Sequence, residues 1–162
     1  MKFKPQQEEN APKINNDLVN LYLDLLEQEI DKMNFIAGAK MYLYNNGYID
    51  YKKFFKHMFC ECEKFKDCLV NYMIGRGIEI PEMTTPVLQT NFESAQSVFE
   101  EFAKLEDQFY NKLEALALQS FELKDMSSLA YSLSLLKDFK HLGCIANEAV
   151  KNNQNPYKLV EC

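Results

Sequence analysis

A chain of 162 residues with 47% hydrophobic content can enclose one substantial core, and its length gives no reason to seek a second domain. Its net charge of −6 argues against nucleic acid or an acidic membrane surface as a partner and suits a protein that handles cations. No stretch reaches the ~18 apolar residues of a membrane span, Met1–Asn10 lacks the apolar heart of an export signal, and the odd set of five cysteines reads as reduced thiols, so a cytoplasmic protein is expected.

Five glycines and five prolines leave long uninterrupted stretches, which favours long helices. Placing successive residues about 100° apart resolves four amphipathic segments. The first opens at Asn15, Asn16 or Asp17 as N-cap and closes at Asn45-Asn46-Gly47, with Leu18, Tyr22, Leu25, Leu26, Ile36 and Leu43 on one arc. The second runs from about Asp50 to Gly75 around Phe54, Phe55, Met58, Leu69 and Met73. A proline-bearing stretch from Arg76 to about Asn91 is longer than a turn between adjacent antiparallel helices requires, and it can cross the length of a bundle. The third segment, about Phe92 to Leu123, and the fourth, about Ser127 to Val150, are separated only by Lys124-Asp125-Met126. Short, long and short connections predict an all-α, up-and-down four-helix bundle with a long crossover between the second and third helices. Residues 1–13 are expected to form a flexible arm, 14–150 the bundle, and 151–162 a short polar tail with no fifth helix.

Polar residues interrupt the apolar arcs. Glu29 lies near the centre of the first arc while Glu27 points to the opposite side, and Glu106 is equally central in the third, between Phe102 and Phe109. A carboxylate in mid-core has to be neutralised, hydrogen-bonded, paired or bound to metal. One reading satisfies each with a buried Lys, Tyr or water, Lys40 and Tyr110 being the candidates on these arcs. The other takes them as ligands of a di-metal bundle, in which a Glu from each of two helices joins Glu-x-x-His motifs from the other two. Here the second arc centres on Cys62 with Phe65 three positions on, while Glu61 and Glu63 fall toward its margins. On the fourth helix Asp138, His141 and Cys144 share one face by i, i+3 spacing, at the edge of the arc, where His141 suits either a surface or a ligand role.

Three stretches resemble ferritins. Asn46-Gly-Tyr-Ile-Asp-Tyr-Lys-Lys-Phe-Phe55 is similar to the segment that opens the family's second helix, Gly75-Arg-Gly-Ile-Glu-Ile-Pro81 resembles the start of its crossover, and Phe99-Glu-Glu-Phe-Ala-Lys-Leu-Glu106 resembles its third helix with an inward Glu. The resemblance runs from about Ile14 to Val150 and implies a ferritin-like four-helix bundle in which Glu29 and Glu106 match metal ligands. The family's second-helix Glu-x-x-His falls on Cys62 and Phe65, and His141 falls near its fourth-helix Gln or Glu. The resemblance therefore implies a degenerate ferroxidase centre whose candidate metal residues are Glu29, Cys62, Glu106 and His141. Iron oxidation relies on carboxylate and imidazole donors, a cysteine suits zinc better, and a Cys62 that merely fills space suits no metal. Iron, zinc and no cofactor all remain open, and the lost ligands weigh against an enzyme.

The leading expectation is an iron-storage, iron-binding shell subunit with impaired or absent ferroxidase activity, a homo-oligomer as a shell or dimer that could co-assemble with an active ferritin subunit. The alternative is a non-catalytic structural or interaction module on the same bundle, with Cys60, Cys68 and Cys162 serving partner contacts. Substituting Cys62→Glu with Phe65→His is expected to recreate di-iron binding.

Overall fold

A computed structural model describes residues 13–138 and 142–160. These residues form helices α1 (Asn16–Asn45), α2 (Ile49–Gly75), α3 (Ala95–Glu122), α4 (Met126–Asp138), α5 (Leu142–Lys151) and α6 (Pro156–Val160). The all-α prediction holds among the described residues. The fourth predicted segment corresponds to α4 and α5 on either side of residues 139–141, so His141, like Cys162, lies outside the described residues.

The helix boundaries follow local chemistry. Extended Asn15 accepts a hydrogen bond from the Asp17 N–H at 2.8 Å to open α1, and Gly47, at φ 80°, supplies the left-handed residue that turns the chain into α2. The third helix starts later than its hydrophobic pattern suggests, because Ser94 and Ser97 exchange side-chain and backbone hydrogen bonds in a capping box at Ala95. The Asp125 carboxylate accepts from the Ser128 N–H at 2.9 Å and caps α4.

The turns make α1 and α2 one antiparallel hairpin, α3 with α4 and α5 a second, and α1 packs on α3 to join them. Residues 76–94 form the crossover. It lies so close to α1 that the Gln89 carbonyl occupies the place a Cβ at Gly38 would take, and Asn34 donates to the Pro86 carbonyl at 3.3 Å. After α5 the tail is not irregular to its end. Asn155 accepts from the Tyr157 N–H, and α6, five residues long and so no fifth bundle helix, packs against α2 and α5 with Tyr157 edge-on to His57. The short tail the sequence suggested thus carries one packed turn.

Two apolar clusters fill the bundle. One, rich in aromatics, interlocks Phe54 and Phe55 of α2 with Phe99 and Phe102 of α3. The other joins Leu18, Tyr22 and Leu25 to Leu69, Met73, Phe109 and Leu113. Between the stretches that α1 and α3 give to these clusters stand buried Glu29, Lys32 and Glu106. At the far end Arg76 reaches from the end of α2 to Asp125, with Nη2–Oδ2 at 2.7 Å, and Tyr22 donates to Ser128 Oγ at 3.0 Å.

Candidate functional site

Buried residues of α1 recur at alternating steps of four and three: Leu18, Tyr22, Leu25, Glu29, Lys32, Ile36, Ala39 and Leu43. The same alternation runs through α3 at Phe99, Phe102, Glu106, Phe109 and Leu113. It is the seam of a packed bundle, and every residue on it faces the core whatever its polarity. Glu29, Lys32 and Glu106 are thereby committed to the interior, at 1%, 4% and 2% exposure. Cys62, at 3%, comes to the same space from α2.

The four side chains form one constellation centred on Lys32. Its Nζ lies 3.1 Å from Glu29 Oε2 and 3.2 Å from Glu106 Oε1, and the Phe109 ring lies under it with the centroid 4.1 Å away. The Cys62 thiol lies close enough to the Glu29 carboxylate to favour its ionised form. Phe65, half-buried, turns an edge toward Phe109 with centroids 5.2 Å apart. Gly143 of α5 presses on α3 beside this layer: a Cβ there would lie 2.6 Å from Ala103 Cα and 3.2 Å from Glu106 Cγ.

The electrostatics are those of two carboxylates sharing one ammonium. Burial pulls the Lys32 ammonium toward the neutral form, but the Glu29 and Glu106 carboxylates beside it outweigh that pull, so its pKa ends above the ordinary lysine value and the charge stays. Burial pushes the Glu29 carboxyl up, against the opposing pull of Lys32 and the Cys62 thiol. Burial also raises the Cys62 thiol far above its usual range, with Glu29 and Glu106 adding to the shift and Lys32 opposing it. Cys62 is therefore a thiol, not the thiolate that ligates metal.

The expected pair of carboxylates thus meets, with Cys62 and Phe65 nearby, while Glu27, Glu61 and Glu63 are exposed as their helical angles predict. A buried lysine meets the carboxylates, as one reading anticipated, but it is Lys32 rather than Lys40, which stands over the Phe59 ring at 4.8 Å. The four-three spacing through Glu29, Lys32 and Ile36 carried that signal. These residues do not fit a di-iron centre: an ammonium sits where the two carboxylates converge, a protonated thiol and a phenyl ring stand at the second-helix positions, and no group of three or more His, Cys, Asp or Glu suited to a metal occurs among the described residues.

No protein-family model matches the sequence, and no curated protein does. Solved structures do match the fold. A PmFTN variant crystal soaked in iron for 3 h is 15% identical, with a TM-score of 0.73 over 90% of this chain and 89% of that one. Another PmFTN variant, soaked overnight, is 14% identical at a TM-score of 0.73 over 91% and 90% of the two chains. These ferritin structures share the fold at an identity too low to carry the residues of a site.

Proposed function

We propose that this chain is a subunit of a ferritin-like, iron-storage assembly that contributes shell and mineral surface and does not itself oxidise iron rapidly. The observation that carries the reading is the placement of Lys32 Nζ within 3.2 Å of both inward carboxylates of a ferritin-like bundle. A divalent ion approaching that point meets a fixed positive charge in a layer that water does not screen. The assembly is a homo-oligomer, closed shell or dimer, able to take in an active ferritin subunit that supplies oxidation. Residues 14–150 are the working bundle, 1–13 and 151–162 its appendages, and the cytoplasm its compartment. Among the described residues no helix is long and apolar enough to cross a membrane.

Stopped-flow absorbance after adding Fe²⁺ to the purified chain, with native mass and iron content on the same sample, tests this. The expected result is oxidation no faster than buffer at low loading, in an oligomer that retains iron as mineral. A rapid saturable phase near two irons per chain would overturn it. The second reading, an interaction module without iron, draws on exposed Leu118 and Phe121 on α3 and exposed Cys60 and Cys68 on α2. An assembly that retains no iron would favour it.

A further inference from the structure

We infer that Tyr72, stacked on Tyr131 at the end of the bundle, is a site of one-electron oxidation at which a small diffusible radical oxidant is discharged. Three phenols from three helices meet there: Tyr22 of α1, Tyr72 of α2 and Tyr131 of α4. The Tyr72 and Tyr131 rings lie face to face, with centroids 3.8 Å apart and planes 12° from parallel, and Tyr22 stands 5.6 Å from Tyr72 and 6.5 Å from Tyr131. The stacked pair is closer than the ~4.5 Å at which packed aromatic pairs ordinarily begin. Taking an electron from one ring leaves a positive charge that the electron-rich face of the other stabilises. Tyr72 is half-buried, so a small oxidant reaches it without opening the core.

A phenol that loses an electron also sheds its proton, and the three phenols differ in where that proton can go. Tyr72 Oη accepts from Arg76 Nη1 at 3.0 Å and shares a 3.1 Å hydrogen bond with exposed Ser127 Oγ. Arginine offers no acceptor, so the Tyr72 proton points to Ser127, which passes one on to water. Burial raises the Tyr72 phenol, but hydrogen bonds with Ser127, Tyr22, Arg76 and Ser128 outweigh it and bring it below the ordinary tyrosine value. Tyr22 instead donates to buried Ser128 Oγ at 3.0 Å, and burial pushes its phenol up. Tyr131 Oη is buried with no hydrogen-bond partner among the described residues, and burial, with Cys68 and Tyr72 adding to it, pushes that phenol up to about 12. In the step itself the radical takes one electron and becomes its anion, the Tyr72 O–H bond breaks, and the proton leaves through Ser127 to water. A neutral phenoxyl radical remains on Tyr72 against the Tyr131 ring. The inference uses no residue of the Lys32 layer and does not depend on whether the chain stores iron.

The test exposes the full-length chain to azidyl radicals in a radiolysis pulse, which return to azide on taking an electron, and follows the phenoxyl absorbance. Wild type and Tyr44→Phe, which removes an exposed phenol at the other end of α1, are expected to hold the radical about tenfold longer than Tyr72→Phe. Tyr131→Phe keeps the stacked ring and should resemble wild type. Tyr131→Leu removes the ring and should shorten the lifetime toward that of Tyr72→Phe. A nitroso spin trap added to wild type, followed by peptide mass mapping, should place the adduct on Tyr72, and this arm requires no variant to fold. The inference is overturned if Tyr72→Phe or Tyr131→Leu holds its radical as long as wild type, if Tyr131→Phe loses it, or if the adduct falls on any residue but Tyr72.

Discussion

Lys32 in the middle of the bundle and Arg76 at its end are both cations drawn into the packing, and each solves a different problem. Lys32 is a point charge between two carboxylates of two helices, with side-chain exposures of 5%, 1% and 2% for Lys32, Glu29 and Glu106. Arg76 is a planar fork at 19% exposure that donates to both oxygens of Asp125, at 3.2 and 2.7 Å, and also to Tyr72 Oη and Ser128 Oγ at 3.0 and 3.2 Å. At Arg76 the donors match the acceptors, the carboxylate doubles as the cap of α4, and water shares the load. At Lys32 one buried ammonium contacts two buried carboxylates and burial raises the Glu29 carboxyl, the signature of an arrangement that is costly to desolvate and far costlier to break. The end of the bundle is built for rigidity, whereas its middle carries a charge layer that a plain apolar core would do without.

The largest expected effect separates the two. Lys32→Ala leaves two carboxylates in the core with their shared cation removed and should cost about 3–5 kcal/mol in denaturant unfolding. Arg76→Ala, with its partners nearer to water, should cost about 1–3 kcal/mol. If the arginine change proves the more damaging, the contrast between the two sites fails. The triple change Glu29→Gln/Lys32→Met/Glu106→Gln sharpens it, since removing every charge together should cost much less than Lys32→Ala alone.

Next in size is Gly143→Ala, whose new Cβ would meet the backbone of Ala103 and crowd Glu106. Unfolding should show a loss of about 1–3 kcal/mol, as overpacking does, and combining it with Lys32→Ala should depart from additivity because both act on Glu106. Strict additivity would mean that α5 does not help position that carboxylate.

Much of this was legible in the sequence, for identifiable reasons. The caps of α1, the short α3–α4 turn and the long crossover are written in Asn15, Asp125 and the proline-bearing 76–94 stretch. Helical angle put Glu29, Glu106 and Cys62 each at the centre of its arc, and the resemblance to ferritins supplied the register that brought them to one level. Lys32 was missed because a lysine near an apolar arc ordinarily snorkels to solvent, and only the unbroken four-three spacing, read without regard to polarity, commits it to the core. The late start of α3 was hidden for a similar reason: Phe92 continues the hydrophobic pattern, and the Ser94–Ser97 cap overrides it. The closeness of the crossover to α1 rests on the absence of a side chain at Gly38, which periodicity does not register.

The smallest effect is in the pH dependence, where the two sites pull in opposite directions. Hydrogen bonding to Arg76 holds the Asp125 carboxyl below its ordinary range, so its contribution to stability is present above the unfolded value of about 3.9 and is lost as pH falls through the lower folded value. Glu29 is the reverse. Its folded pKa lies above the unfolded value of about 4.3, so between the two the native state holds a proton that the unfolded chain has released, and stability falls as pH rises through that window. Urea midpoints measured from pH 3 upward should therefore pass through a maximum, with Asp125 shaping the acid side and Glu29 the descent above it. Glu29→Gln should flatten the descent and leave the acid limb, and Arg76→Ala should weaken the acid limb and leave the descent. Should Glu29→Gln leave the profile above pH 4.3 unchanged, then Lys32 neutralises Glu29 fully and the contrast in pH dependence between the two sites fails.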